Sequence, residues 1–158
     1  MTRKADQPQD LASEESRRTG TPEHGYVLDD QIGYLLRKAY QRNTIIFTEK
    51  IRDLTPTQFA VMARLAECGS VSQNKLGRLV GLDVATTKGV VDRLTVRGFL
   101  HSRKHPDDKR RQLISLTPDG LRWFLSNISS GLEISAQTLE ALTRSEQRSL
   151  VRILKKLQ

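Results

Sequence analysis

The chain has 158 residues, 37% hydrophobic and 28% charged, the mixture of an ordinary globular domain with enough apolar material for a core. No apolar run approaches the roughly 18 residues of a membrane-spanning helix, and no apolar stretch near the N-terminus reads as a secretory signal. The single cysteine, Cys68, rules out an intrachain disulfide and fits a reducing cytoplasm, and the net charge of +8 points to a polyanionic partner, nucleic acid before an anionic membrane.

The charge is concentrated. Residues 1–25 carry four Lys/Arg and five acids, whereas residues 97–111 carry six Lys/Arg and two acids. The first of these segments is rich in Gln, Ser, Glu, Pro and Gly and reads as a disordered arm. From Asp29 the pattern becomes helical, with Ile32, Leu35, Leu36, Ala39, Tyr40, Ile46, Phe47 and Ile51 at spacings of three and four, a helix of about 20 residues. "LTPTQF" opens a second helix: Thr55 caps it, Pro56 suits its first position and Gln58 completes a capping box. Phe59, Met62, Ala63 and either Leu65 or Ala66 form its buried face, and Gly69 ends it.

A short third helix follows the cap Ser72 and stops at Gly81. Asp83 caps a fourth through about Arg97, with Val84, Val90, Val91 and Leu94 facing inward, closed by Gly98. Two short helices joined by a tight glycine turn are a helix-turn-helix. Residues 99–117 then read as a hairpin with its turn at 105–110. Thr117 and Pro118 start a long helix carrying Leu121, Phe124, Leu125, Ile128 and Leu132, and "TRSE" (143–146) caps a last one. The first and last helices carry apolar stripes that need a partner, which pairing across a two-fold axis would supply. The expected fold is mainly α with a small β-hairpin wing: a winged helix-turn-helix with N- and C-terminal dimerisation helices. Its divisions are a disordered arm (1–25), an N-terminal dimerisation helix (26–54), the winged helix-turn-helix (55–117) and C-terminal dimerisation helices (118–158).

The expected partner of such a basic winged helix is double-stranded DNA. The fourth helix offers Ala85, Thr86, Thr87 and Lys88 to a major groove, where threonine touches a thymine methyl and lysine reaches guanine or phosphate. Gly89 costs this helix about 1 kcal/mol relative to alanine, and close approach to DNA or to a packing helix would explain it. Gln73, Asn74 and Lys75, at the start of the third helix, are candidate phosphate contacts. At the hairpin tip stand Lys109, Arg110 and Arg111. A narrow minor groove concentrates negative potential and attracts an inserted arginine; Asp108 would fix the loop by pairing with a nearby arginine, for which Arg93 is a candidate besides phosphate. The plain alternative is a solvated charged turn.

The order helix, "LTPTQF", helix-turn-helix, "VVDRLTVRGFLHSRKHPDDKRRQLISLTPDG", helix, helix resembles the MarR family of bacterial transcription regulators over roughly residues 29–158. The sharpest part is "DRL…RG…R…PDDKRR…LT..G", which includes Arg103. The resemblance implies a homodimer with one winged helix per subunit, usually a repressor released by a small ligand or by oxidation, with Arg110 as the minor-groove insertion. It places the effector site between the dimerisation helices and the winged helix. "YVLDDQIGYLLRKAYQRNTIIF" is similar to repressors of nicotinic acid degradation, which implies a small aromatic acid such as nicotinate or a hydroxylated derivative. Tyr40, Asn43 and Phe47 share a face of the first helix that could line the site, and Arg64 could hold the carboxylate. The expected partner is a pseudo-palindromic operator.

Other features carry less. His101 and His105 have no Cys or Glu cluster beside them, so no metal and no cofactor is expected. No nucleophile–base set or phosphate-cradling loop appears, so the chain does not read as an enzyme. Cys68 sits near the C-terminal end of a helix, a poor place to hold a thiolate, and reads as structural, with a redox-responsive regulator as the alternative. A winged-helix module that binds an acidic protein is the rival from another class.

Overall fold

The computed structural model describes residues 24–104 and 112–157. The expected arm up to residue 23 and the hairpin tip at 105–111, with His105, Asp108, Lys109, Arg110 and Arg111, lie outside the described residues. A 3-10 turn at Leu28–Asp30 leads into α1 (Ile32–Lys50). Then come α2 (Pro56–Cys68), β1 (Val71–Ser72), α3 (Gln73–Val80), α4 (Val84–Val96), β2 (Leu100–Lys104) and β3 (Gln112–Leu116). Three helices follow: α5 (Pro118–Ser126), α6 (Ile128–Thr138) and α7 (Arg144–Leu154). The chain divides into two units, Met1–Gln41 and Arg42–Gln158, the division falling within α1. Among the described residues no helix is long and apolar enough to cross a membrane.

The local signals act as local chemistry requires. Thr55 accepts from the Gln58 backbone and Gln58 reaches back to the Thr55 N–H, the reciprocal capping box, so α2 starts where two otherwise orphaned donors are satisfied. Ser72 and Asp83 cap α3 and α4, and Thr143 and Glu146 form a second capping box on α7. The end of α4 is a Schellman motif: Gly98, at φ +76°, lets its own N–H reach the Thr95 carbonyl and the Phe99 N–H reach that of Leu94. That turn delivers Leu100 into β2.

The sheet is antiparallel in the order β1-β3-β2. Leu100 pairs with Leu116, Ser102 with Ile114 and Lys104 with Gln112, and Val71 pairs with Ile114 from the other side. The hairpin was expected; its two-residue third strand, too short to show a period, was not. Ile114 at the sheet centre packs in one core with Met62, Leu65, Leu76, Leu94 and Leu100. On α2 the buried face is Gln58, Val61, Met62 and Leu65, so Leu65 rather than Ala66 completes it.

Aromatic rings join this core to the C-terminal helices. Phe59 meets Phe47 edge-on at 5.8 Å, Trp123 at 6.4 Å and Phe124 at 5.4 Å, and Trp123 meets Phe99 at 5.4 Å. The end of "LTPDG" has its own role: a Cβ on Gly120 would overlap the Phe99 carbonyl oxygen, so only glycine lets α5 start against the foot of the wing. Thr117 secures the same corner by donating to the Gly98 carbonyl at 2.7 Å while capping α5.

The single long helix expected from 118 is two. α5 stops at Asn127, whose side-chain amide donates to the Trp123 carbonyl at 2.8 Å in place of a backbone bond, and α6 begins after it. Arg42 donates to the Gln137 and Thr138 carbonyls and pairs with Glu140 at 2.6 Å, and Lys50 pairs with Glu133 at 2.7 Å. The second half of α1 is thereby tied to α6. Cys68, which reads as structural in the sequence, is exposed.

Candidate nucleic-acid interface

α3 and α4 cross at a point set by two small residues. A Cβ on Gly77 would lie 2.7 Å from Thr87 Oγ1 and 3.1 Å from the Leu82 carbonyl oxygen, so glycine permits the approach. Gly81, at φ +67° and ψ +35°, turns the chain between the helices. Thr87 fills the crossing and is 1% exposed, with its hydroxyl donating to the Asp83 carbonyl at 2.7 Å. Its expected role as a base contact is therefore corrected: Thr87 holds the two helices together. Val84 is corrected the other way. It was expected inward, yet it is 66% exposed. The buried face of α4 is Thr87, Val90, Val91 and Leu94, which begins at the crossing, and Val84 lies nearly a turn before it.

The open face of α4 carries most of the remaining candidates. Ala85, Thr86, Lys88 and Arg93 are all exposed. The Thr86 N–H and hydroxyl both donate to the Asp83 carboxylate at 2.7 Å. The Thr86 N–H, followed by its hydroxyl, holds the Asp83 carboxyl below the usual aspartate range. Lys88 pairs with Asp92 at 2.6 Å across one turn, an exposed contact weak enough to exchange for another anion. Gly89 is not required by packing within the chain, since a Cβ there would meet only the Arg93 guanidinium at an ordinary 3.6 Å.

At the start of α3, Asn74 and Lys75 are exposed and Gln73 is half-buried, with Lys75 N–H donating to the Ser72 cap. Arg103 is exposed on β2. Arg97, which sequence reasoning passed over, is exposed but engaged within the chain: it donates to the Asp53 carbonyl and lies over the Phe99 ring. His101 accepts or shares a hydrogen bond with Ser115 across the strands at 3.1 Å. No group of three or more potential metal ligands occurs among the described residues.

The four effector candidates do not line one described cavity. Phe47 is buried in the core, which corrects its expected role as a ligand contact. Asn43 donates to Thr138 Oγ1 at 2.9 Å. Tyr40 is exposed on the N-terminal half of α1. Arg64 pairs with Glu67 at 2.5 Å and lines a groove of about 670 Å³ between α2 and α3, together with Arg78, Ala60, Ala63 and Leu79. Arg78 is a cation that the sequence offered only as one of many.

Comparison with known proteins meets this geometry. The family description "MarR family" matches residues 54–111. The HTH-type transcriptional repressor NicR of Pseudomonas putida is 34% identical over 134 residues, 84% of this chain and 85% of that protein. A crystal structure of a probable transcriptional regulator from Pseudomonas aeruginosa is 46% identical with a TM-score of 0.79, covering 84% of this chain and all of that one. The structure of Bordetella bronchiseptica BpsR, described as showing how 6-hydroxynicotinic acid regulates its DNA binding, is 34% identical with a TM-score of 0.80, covering 84% of this chain and 96% of that one. A winged helix assembled on the same plan, with a repressor relative matched along most of both chains, makes this protein a member of the MarR family of transcriptional regulators.

Proposed function

We propose that the chain is a homodimeric, cytoplasmic repressor of a pseudo-palindromic operator, released by a small aromatic carboxylate such as nicotinate or a hydroxylated derivative. Each subunit would set α4 in a major groove, with Ala85, Thr86, Lys88 and Arg93 toward the DNA, and the wing tip in the flanking minor groove, Arg110 inserted and Lys109, Arg111 and Arg103 on phosphates. Gln73, Asn74 and Lys75 would hold the backbone beside it. Half-sites then lie about one helical turn apart.

The observation that carries this reading is the pairing of an open, cationic α4 face with a closed helix-turn-helix core. The dimer is supported by the apolar residues left exposed on α1 and on α5 to α7, Leu132 among them at 68%. The helices of residues 26–54 and 118–158 are its proposed contact. The effector class is supported by the likeness to NicR and BpsR. Arg64 remains the proposed carboxylate partner, with Arg78 on the same groove. Binding there would shift the balance between arrangements of the helix-turn-helix that do and do not fit the operator.

The test is fluorescence anisotropy with labelled DNA from upstream of the protein's own gene, against a scrambled duplex at physiological salt, with and without nicotinate and 6-hydroxynicotinate. Selective binding that an acid reverses is the expected result. Selective binding untouched by either acid removes the effector class; equal, weak binding to both duplexes favours a protein-interaction module. Arg64→Gln should leave DNA binding intact and blunt the release, while Tyr40→Ala and Asn43→Ala ask whether α1 takes part.

A further inference from the structure

We propose that Val84, at the exposed first turn of α4, is a specificity residue that reads the C5-methyl group of thymine in the major groove. This rests on the reading that α4 enters that groove. In a helix-turn-helix the N-terminal residues of the second helix are the ones that reach base edges, and Val84 is the first residue of α4, 66% exposed where Val90 and Val91 are buried. One exposed valine is ordinary on a protein surface; its neighbours make this one informative.

The first turn of α4 has little hydrogen-bonding capacity left to offer. Both donors of Thr86 go to Asp83, whose two carboxylate oxygens are thereby engaged. Thr87 is buried and bonded to the Asp83 carbonyl. Residue 85 is alanine. What the turn presents is methyl groups: those of Val84, of Ala85 and of Thr86. Thymine alone among the bases carries an apolar group on its major-groove edge. A turn whose polar atoms satisfy one another discriminates by that group, because an apolar surface left facing a cytosine amino group or a guanine carbonyl loses the contact and strands the base's own polar edge. Lys88 and Arg93, one and two turns on, supply the charged contacts.

The experiment selects duplexes from a random-sequence library with the full chain, then replaces each thymine of the enriched half-site by deoxyuridine, which removes only the methyl group. One or two replacements per half-site should each weaken binding about fourfold, the worth of one buried methyl. In Val84→Ala the same replacements should weaken binding less than twofold, while the other selected positions keep their preference. The valine is exposed and alanine favours a helix, so an unchanged thermal unfolding curve is expected. A deoxyuridine series without effect, or one whose effect survives in Val84→Ala, overturns the proposal. Lys88→Ala and Arg93→Ala separate it from the reading beneath: if they shift the selected sequence and Val84→Ala does not, α4 reads DNA by other means. If all three leave the sequence unchanged, α4 is not the reading helix and the proposal falls with it.

Discussion

The helix-turn-helix and the helices at the ends of the chain use apolar residues in opposite ways. In the first, Leu76, Leu94 and Met62 are wholly buried, and the residue between the helices that is not apolar, Thr87, is buried with its hydroxyl satisfied. In the second, Ile32, Leu125, Ile128, Leu132 and Leu157 stand open to solvent. Elements packed on one core can bury only what faces that core. Apolar side chains repeated along an outer helix face and left in water are costly unless something covers them. The helix-turn-helix closes its core within one chain, and the proposed dimer would supply the second chain that covers the exposed apolar residues of the end helices.

That contrast can be broken from the reading side first. Leu94→Ala removes a side chain at the centre of the core and should cost about 3 to 4 kcal/mol. Gly120→Ala forces α5 off the Phe99 carbonyl and should cost about 3 kcal/mol, a fall in melting temperature of roughly 6–12 °C; a melting curve like the parent's would show that the corner is looser than described. Leu132→Glu should act differently. It should leave the secondary structure unchanged by circular dichroism yet shift the protein toward a single-chain species in sedimentation, because Leu132 lies on the proposed contact between chains. Gly89→Ala should do the opposite of the core changes and stabilise α4 by up to about 1 kcal/mol. A loss of DNA affinity despite that gain would show that the glycine serves close approach to DNA.

The smallest expected effect is in acid. The Asp83 carboxyl is held below the usual range by the Thr86 N–H and hydroxyl, so its cap contributes fully above the ordinary aspartate value of 3.8 and is lost as pH falls through the lower folded-state value. The Glu146 carboxyl is held down by the Thr143 hydroxyl and then its N–H, and follows the same sign below 4.5. Asp83→Asn keeps a capping acceptor without the titration, so the acid limb of its melting profile should flatten relative to the parent.

What was legible in the sequence follows the range of the physics. Capping boxes at Thr55 and Thr143 act over three residues and could be read directly. The faces of α4 could not. Ranking by hydrophobicity puts Val84 inside and Thr87 outside, but the position of the crossing with Gly77 decides, and that is a tertiary fact. A clue was available: Thr87 lies four residues after the cap Asp83, where a threonine hydroxyl can return to a backbone carbonyl and be buried at no loss. The break at Asn127 and the strand at Val71–Ser72 are likewise set by what they meet. Of the proposed DNA-facing residues on α3 and α4, Asn74, Lys75, Ala85, Thr86, Lys88 and Arg93 are exposed and Gln73 is half-buried, because an exposed polar face needs only the period of the helix. The effector residues did not gather, because helical spacing on α1 does not tell a pocket from a core, and Phe47 belongs to the core.

Sedimentation velocity of the full chain, alone and with a duplex it has selected, tests the account most directly. Two chains per particle without DNA, and two chains on each duplex, is the expected result. A single chain that binds one duplex with undiminished selectivity would contradict it, because the end helices would then have no second copy to complete them.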